Sequence, residues 1–179
     1  MYKEITDAMK SPTSLTLVVD LDGTLVKTDI LWESCAVLLR QNLFLIFLLP
    51  FWLMKGKSYL KSEVAKRVKL DIGYLPYNQY FLAFLREEYK RGRPLILATA
   101  SDLRIAQQVA DYLGIFSEVI ASTSNYNAKG VNKLKAVEEK LSGKEFAYAG
   151  NEPCDIALWS QAKAAILVSA NRLNNFPNS

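Results

Sequence analysis

The sequence has 179 residues, half of them hydrophobic, which suffices for one sizeable core or for a core with a small inserted subdomain. It contains no histidine, which excludes histidine-based catalytic triads, histidine general bases and histidine-ligated zinc, so acid–base chemistry has to come from carboxylates. The formal net charge of +4 favours anionic partners without choosing among phosphate compounds, acidic lipids and nucleic acids.

Features at the chain ends and the two cysteines bear on the cellular setting. Residues 1–14 lack a long apolar centre, so we do not expect a secretory signal there, and residues 171–179 form a polar tail. Cys35 and Cys154 lack the spacing of a paired metal motif. We therefore interpret them as reduced thiols and expect a cytoplasmic protein.

The first predicted element is a buried strand that leads into two acidic residues. Residues 15–19 form a short, mainly apolar run, typical of a strand covered on both faces in a parallel sheet. Asp20 and Asp22 follow, two residues apart and therefore on one face of an extended chain, and Gly23 permits a sharp turn. Close carboxylates favour a bound cation, a shared proton or both, and oxygen ligands suit Mg²⁺. The alternative is an Asp-rich turn with no chemical role.

The next segment is unusually apolar. Residues 31–39 are expected to be helical, and residues 43–54 carry no charged or hydrogen-bonding side chain except that of Trp52. A helix that is apolar on all faces is buried either in protein or in lipid. Twelve residues span only about 18 Å, short of the ~30 Å hydrocarbon layer, so a full membrane crossing is not expected. Pro50 should kink or interrupt this helix.

A basic cluster follows the apolar run and leaves two interpretations open. Its cations are Lys55, Lys57, Lys61, Lys66, Arg67 and Lys69. In the first interpretation the segment settles into the interface of an acidic membrane leaflet, with Trp52 and Tyr59 at the level of the headgroups. In the second, the apolar residues form the interior of a helical cap and the lysines solvate its outer face.

The rest of the chain alternates helices and strands. We predict helices at residues 78–90, 103–113 and 131–141, and strands at residues 95–98, 118–121, 146–149 and 164–168. Ser101 and Asp102 are interpreted as N-cap residues of the second of these helices. The alternation predicts an α/β fold with a doubly wound parallel sheet and right-handed crossovers.

Four short stretches, in chain order, resemble the motifs of the haloacid dehalogenase (HAD) superfamily. Asp20-Leu21-Asp22-Gly23-Thr24 resembles the first motif, and the strand ending in Thr99 resembles the second. Lys129 is the best match to the third motif, with Lys133 as its competitor. Gly150, Asn151 and Asp155 resemble the fourth motif, except that Asn151 stands where the family typically has an aspartate, which puts metal affinity and turnover in doubt.

Most of the chain, from residue 15 to 170, is similar to the HAD domain that precedes membrane prenyltransferases of the UbiA family. The similar stretches are Val-Asp-Leu-Asp-Gly-Thr-Leu, Thr-Asp-Ile-Leu-Trp-Glu-Ser, Leu-Ala-Thr-Ala-Ser-Asp, Asn-Ala-Lys-Gly and Tyr-Ala-Gly-Asn. This resemblance implies a HAD-like core at residues 1–30 and 78–179 and a C1-type helical cap at residues 31–77. No prenyltransferase segment is present, so the chain is expected to be a standalone relative or a fragment, fused to or partnered with such an enzyme.

The resemblance also implies a function and a set of site residues. The expected reaction is Mg²⁺-dependent hydrolysis of a phosphomonoester through an aspartyl phosphate, with a phosphorylated prenyl-linked sugar as one substrate class and no nucleic acid partner. Asp20 would be the nucleophile and Asp22 the general acid and base, while the phosphate would meet Thr99, Ala100 and Lys129. The metal ligands would be Asp20, Asp22 through its main-chain carbonyl, Asn151 and Asp155.

Three alternatives to this function stay open. The chain could be a soluble phosphatase for a small metabolite, a non-catalytic regulatory HAD domain, or a phosphotransferase with an acceptor other than water. The first alternative predicts an inward-facing cap and no affinity for membranes. The prenyl-linked reading instead predicts contact with the inner face of the cytoplasmic membrane.

Overall fold

The computed structural model describes residues 15–151 and 155–168. The expectations for residues 1–14, for residues 171–179 and for Cys154 lie outside these ranges. Five strands form one sheet, and every neighbouring pair is parallel. They are β1 (Thr16–Val19), β2 (Leu95–Asp102), β3 (Glu118–Ser122), β4 (Phe146–Gly150) and β5 (Ala164–Leu167).

Strand β1 lies in the middle of the sheet, whose order is β3-β2-β1-β4-β5. Val19 is in register with Leu97 of β2 and with Ala149 of β4. The chain therefore leaves the sheet at Asp20 between two neighbouring strands, and the Asp20 amide still donates to the Ala149 carbonyl at 2.9 Å. This is the carboxyl edge of a parallel sheet, where ligand sites of α/β folds lie.

Seven α-helices are found among the described residues. They are α1 (Ile30–Gln41), α2 (Leu49–Met54), α3 (Lys57–Ala65), α4 (Gln79–Lys90), α5 (Leu103–Leu113), α6 (Val131–Leu141) and α7 (Ile156–Gln161). Alternate residues of β1 point to opposite faces of the sheet, as extended geometry requires. Leu17 and Val19 belong to a core with residues of α4 and α5, while Val18 packs with residues of α6 and α7. The prediction of a doubly wound α/β fold is confirmed.

The helices and strands predicted for the core agree with the observed bounds to within one residue, apart from β2, but helix α7 was not predicted. That strand was expected to end at Ala98, but it continues to Asp102. Asp102 is the N-cap of α5, as predicted, because its carboxylate accepts a hydrogen bond from the Arg104 amide at 3.0 Å. Ser101 is not a cap residue, so that prediction is wrong; it belongs to the strand.

The segment between β1 and α4 is a helical insertion made of α1, a 3₁₀ helix (Leu43–Leu48), α2, α3 and a short 3₁₀ turn (Ile72–Tyr74). Its entry and exit are joined: Val26 pairs antiparallel with Tyr77, and the Asn78 amide donates to the Leu25 carbonyl at 2.9 Å. The insertion therefore leaves and rejoins the core through two adjacent, hydrogen-bonded segments. The cap boundaries at residues 31–77 stay a prediction.

The structure of residues 43–54 differs in detail from both the membrane interpretation and the cap-interior interpretation. Pro50 lies in the first turn of α2, and the change from 3₁₀ helix to α-helix occurs just before it, at Leu49. Trp52 is only 8% exposed and packs with Leu38 and Val64, so its expected position at the headgroup level is wrong. The expectation of a fully enclosed interior is wrong as well, because Phe44, Phe47 and other side chains of the run are largely exposed.

Among the described residues, no helix combines the length and the apolarity that a membrane crossing requires. The exposed side chains of the run are those of Leu43, Phe44, Ile46, Phe47, Leu48, Phe51, Leu53 and Met54, and we call them the apolar surface of the insertion.

Candidate active site

Asp20 is a buried carboxylate held at the carboxyl end of β1, with 5% of its surface exposed. Its Oδ1 accepts a hydrogen bond from the Lys133 ammonium at 2.7 Å, and its Oδ2 lies 3.2 Å from the Thr24 hydroxyl. Burial raises the pKa of Asp20 from its usual 3.8 to about 6, against the lowering effect of Lys133. The group can therefore be ionised at neutral pH while retaining appreciable basicity, as a nucleophile requires.

Lys133 supplies the ammonium that contacts Asp20. It lies in the first turn of α6, is 3% exposed, and also reaches Asp155 Oδ1 at 3.4 Å. Burial lowers the pKa of Lys133, but Asp20 and Asp155 outweigh it and the net pKa is raised, so the side chain carries its charge. Sequence reasoning ranked Lys129 ahead of Lys133 for this contact. The sequence did contain a signal for Lys133, because Lys133, Val137 and Leu141 follow one another at helical spacing and share the buried face of α6.

Tyr148 and Asp155 complete this buried network beneath the site. The Tyr148 hydroxyl donates to Asp155 Oδ1 at 2.8 Å and accepts from Lys133 at 3.1 Å. A Cβ at Gly150 would lie 2.5 Å from Asp155 Oδ2, so the close packing of Asp155 on the end of β4 requires glycine at that position. Sequence reasoning identified Asp155 and Gly150 but not Tyr148, which reads as an ordinary core residue of a strand.

Asp22 is held by three donors on the other side of the site. Its Oδ1 accepts from the Ile30 amide at 2.7 Å, and its Oδ2 accepts from the Ser101 hydroxyl at 2.6 Å and the Thr99 hydroxyl at 3.2 Å. Burial raises the pKa of Asp22, and the bonds from Ile30 and Ser101 lower it in part. A carboxyl group whose pKa is raised and whose orientation is fixed is suited to proton transfer.

Thr24 lies between the Oδ2 atom of Asp20 and the side chain of Asn151. The Thr24 hydroxyl is 3.2 Å from Asp20 Oδ2 and 3.0 Å from Asn151 Oδ1, and its one proton serves one of them at a time. Gly23 has a φ of +73°, and a Cβ there would overlap the Asn151 amide. The turn after β1 thus lets the backbone pass directly under Asn151.

A hollow of about 40 Å³ opens above these groups. It is lined by Asp20, Asp22, Asp29, Lys61, Ala100, Lys129, Lys133 and Asp155. Lys129 therefore faces the same hollow as Lys133, as does Ala100. Lys61 comes from α3 of the insertion, and its ammonium donates to the Ala100 carbonyl at 2.9 Å. Sequence reasoning counted Lys61 only as part of the basic cluster.

The oxygen donors around Asp20 fit Mg²⁺ in kind. Among the described residues no three acidic or thiol side chains lie close enough together to form a metal cage. Magnesium, however, is usually bound by one or two carboxylates together with water and substrate phosphate. Asp20, Asn151 and Asp155 supply two carboxylates and an amide oxygen at the ends of β1 and β4. The Asp22 side chain is committed to Ser101, Thr99 and Ile30, which leaves its main-chain carbonyl for a metal.

The sequence is similar to one longer curated protein and matches no family model. It is 34% identical over 155 residues to uncharacterized protein y4nM of Sinorhizobium fredii (strain NBRC 101917 / NGR234). The match covers 86% of this chain but only 30% of y4nM, so the chain spans less than a third of the length of that relative.

Solved structures with low sequence identity share the fold. A protein of unknown function from Bordetella pertussis Tohama I matches with a TM-score of 0.68 at 14% identity, over 87% of this chain and 90% of that one. A substrate-bound phosphoserine phosphatase matches with a TM-score of 0.56 at 13% identity, over 86% of each chain. The chain therefore has the HAD-like α/β fold that its four motifs predicted.

Proposed function

We propose that this chain hydrolyses phosphomonoesters through an aspartyl phosphate on Asp20. The observation that carries the proposal is the arrangement of Asp20 between the Lys133 ammonium and the Thr24 hydroxyl, facing a hollow that Asp22 shares. A phosphoryl group in this hollow would meet the carboxylate of Asp20, with positive charge beside it and a proton donor on the far side. The fold shared with phosphoserine phosphatase supports the same reaction class.

The first step transfers the phosphoryl group to the protein. Asp20 attacks phosphorus, the bond from phosphorus to the ester oxygen breaks, and a protonated Asp22 gives its proton to that leaving oxygen. Burial, which raises the pKa of Asp22, favours this protonated form. Ala100 through its backbone amide and Lys129 would bind the phosphoryl oxygens, while Lys133 orients Asp20. The Thr99 hydroxyl would join them on turning away from Asp22, to which it donates in this structure.

The second step releases phosphate. Water attacks phosphorus, Asp22 takes a proton from that water, and the bond from phosphorus to Asp20 breaks to regenerate the carboxylate. Mg²⁺ bound by Asp20, the Asp22 carbonyl, Asn151 and Asp155 would neutralise the charge of the phosphate and of the attacking carboxylate. Asn151 brings one negative charge fewer than the typical family aspartate, so we expect weak metal affinity.

The test is the substitution Asp20→Asn. We expect phosphate release from a panel of phosphomonoesters in Mg²⁺ to fall below detection, because the amide is not a nucleophile, while the circular dichroism spectrum stays that of the wild type. Asp111→Asn is the matched control, because Asp111 is an exposed aspartate of α5. Full activity in Asp20→Asn would refute the assignment of Asp20 as the nucleophile. Wild-type protein that neither releases phosphate nor traps beryllium fluoride on Asp20 would favour a non-catalytic domain.

We further propose that the apolar surface of the insertion contacts an acidic membrane leaflet. Phe44, Phe47 and Met54 are 80%, 69% and 85% exposed, and they belong to one run of eight large apolar side chains open to solvent. Exposed apolar clusters of this kind mark interaction sites. Lys55 and Lys57 follow directly and are also exposed, so the surface combines apolar depth with positive charge, which suits anionic headgroups.

A membrane-facing insertion would suit a substrate that carries a lipid. The resemblance to prenyltransferase-associated domains makes a phosphorylated prenyl-linked sugar our preferred substrate class and a membrane prenyltransferase the preferred partner or fused neighbour. The inner face of the cytoplasmic membrane would then be the working location. A small soluble phosphoester is the alternative substrate, and it requires no contact between the apolar surface and lipid.

The membrane proposal is tested with Phe47→Glu. Because Phe47 is exposed, we expect this variant to fold normally and to lose most of its binding to vesicles of phosphatidylglycerol in a flotation assay. Tyr89→Glu, which changes an exposed aromatic residue of α4 in the core, is the control and should bind vesicles like the wild type. Equal flotation of all three proteins, or none by the wild type, would contradict the proposal.

A further inference from the structure

Tyr148 is a fully buried tyrosine of β4 whose hydroxyl contacts the charged groups of the candidate site from the interior of the protein. Strand β4 is paired with β1 on one side and with β5 on the other, so the backbone at Tyr148 is held from both sides. The Tyr148 ring packs edge-on against the ring of Trp159, with the ring centroids 6.4 Å apart. The position of the hydroxyl is therefore set by packing in the core.

The Lys133 ammonium is shared between this hydroxyl and two carboxylates. Its three N–H groups are matched by three acceptors. These are Asp20 Oδ1 at 2.7 Å, Tyr148 Oη at 3.1 Å and Asp155 Oδ1 at 3.4 Å. Both carboxylates attract the same buried cation, yet the ammonium lies closer to Asp20 than to Asp155. Something in the network must favour the contact with Asp20.

The Tyr148 hydroxyl accounts for this preference, because it serves Asp155 directly. It donates its own proton to Asp155 Oδ1 at 2.8 Å, a shorter contact than the one between that oxygen and Lys133. A buried carboxylate needs hydrogen-bond donors in place of water, and here the hydroxyl supplies one that the ammonium would otherwise have to supply at closer range. Lys133 is thereby left to form its short contact with Asp20.

Tyr148 cannot touch a substrate in the hollow. It exposes no surface, and it is not among the residues that line the hollow. An influence of its hydroxyl on the reaction therefore passes through the side chains that it contacts. This distinguishes Tyr148 from Asp20 and Asp22, whose carboxylates line the hollow themselves.

We propose that Tyr148 is a positioning residue, which keeps the Lys133 ammonium on Asp20 by satisfying Asp155. The proposal rests on the proposed hydrolase function, in which Asp20 attacks phosphorus, and it deepens that function. Lys133 aligns the attacking carboxylate as long as one of its N–H groups is directed at Asp20 Oδ1. Without the Tyr148 hydroxyl, Asp155 draws the ammonium toward itself, and Asp20 loses part of the contact that aligns it.

The kinetic test is Tyr148→Phe, which removes the hydroxyl and keeps the ring. With p-nitrophenyl phosphate and Mg²⁺, we expect kcat to fall about tenfold and KM to change less than twofold, because the nucleophile is misaligned while the groups that bind phosphate are untouched. Tyr77→Phe is the control, because it removes another buried tyrosine hydroxyl, which donates to the Ile72 carbonyl at 3.0 Å. It should leave kcat unchanged. An unchanged kcat in Tyr148→Phe, or a loss confined to KM, would overturn the role of Tyr148.

A double-mutant cycle separates this proposal from the hydrolase function. Urea unfolding in EDTA compares the effect of Tyr148→Phe in the wild type with its effect in the Asp20→Asn background. The bond from the hydroxyl to Asp155 is lost in both backgrounds and cancels, whereas support of the contact between Lys133 and Asp20 is lost only in the wild type. We expect Tyr148→Phe to raise the unfolding equilibrium constant about five times more in the wild type.

This coupling would support the role of Tyr148 even if the wild type hydrolysed no ester, an outcome that would refute only the proposed function. An effect in the wild type that is equal to or smaller than the effect in Asp20→Asn would show that the hydroxyl does not act on Asp20 through Lys133. The proposal would then be overturned, whatever the activity of the wild type.

Discussion

Lys133 is the residue whose removal should be most damaging to the site. Its ammonium is buried between Asp20 and Asp155, so Lys133→Met would leave two buried carboxylates without their cation. We expect this variant to lose about 3 kcal/mol of unfolding free energy, as for other broken buried pairs, and to lose nearly all phosphate release. Urea unfolding and a phosphate-release assay measure the two effects.

Lys129→Met is the matched comparison at the rim of the same hollow. Lys129 is exposed, so its removal should change the unfolding free energy by less than about 1 kcal/mol and weaken phosphate release only in part. If Lys129→Met proved the more damaging of the two to phosphate release, the ammonium that serves the phosphoryl group would be that of Lys129, as the sequence motif alone suggested.

The two hydroxyls that bind Asp22 show what a residue pattern can reveal. Thr99 and Ser101 are two apart, and in an extended strand such residues point to one side. Their joint contact with Asp22 Oδ2 follows from this spacing once β2 is known to run to Asp102. The prediction ended the strand at Ala98 because Thr, Ser and Asp favour caps and turns, so it assigned Ser101 to a cap and missed its contact with Asp22.

At the scale of elements, the turn after β1 depends on glycine for two separable reasons. Gly23 and Gly114 both have positive φ, +73° and +64°, so alanine strains the backbone at either position, by about 1 kcal/mol. At Gly114 an added Cβ meets nothing within 4 Å, but at Gly23 it would overlap the Asn151 side chain. We therefore expect Gly23→Ala to displace Asn151 and abolish phosphate release.

Gly114→Ala is the control for that prediction, because it introduces the strain without the overlap. It should lower the unfolding free energy to a similar extent and leave phosphate release near the wild-type value. Activity assays on both variants, with thermal unfolding alongside, separate the two causes. Equal retention of activity would mean that the position of Asn151 against Gly23 is not required for the reaction.

The elements differ in how well the sequence predicts them. The core helices α5 and α6 begin and end where apolar periodicity and flanking Gly114 and Gly130 place them, because a helix that packs on a sheet must repeat its apolar residues every three to four positions. Residues 43–54 have no such repeat. An apolar segment of this kind fits protein or lipid equally well, so its exposure could not be derived from local pattern.

At the scale of the whole molecule, the order of the strands brings distant residues into one site. Lys133 and Asp20 are 113 positions apart, and Thr99 and Asp22 are 77 apart. The motifs follow buried strands in the sequence. This order predicted that they meet at one edge of the sheet, because parallel strands present their carboxyl ends together. The choice between Lys129 and Lys133, and the reach of Lys61 to Ala100, depend on side-chain packing between helix and sheet, which strand order alone does not determine.

Stability of the whole molecule should depend on pH through the site. The pKa of Asp20 is raised from 3.8 to about 6 in the folded protein, mainly by burial, so the folded state holds this proton to a higher pH than the unfolded chain does. The favourable contribution of the protonated form is complete below pH 3.8 and is lost as pH rises through about 6. The Lys133 ammonium lowers that pKa, and the carboxylates of Asp155 and Asp22 raise it.

Urea unfolding of wild type and Asp20→Asn in EDTA should reveal this dependence. Between pH 4.5 and 7, the wild type should lose about 2 kcal/mol of unfolding free energy relative to Asp20→Asn, because the amide does not titrate. The other carboxylates titrate in both proteins, so they largely cancel in the difference. Parallel pH profiles would mean that Asp20 is ionised throughout this range and that Lys133 outweighs its burial, which would contradict a raised pKa at Asp20.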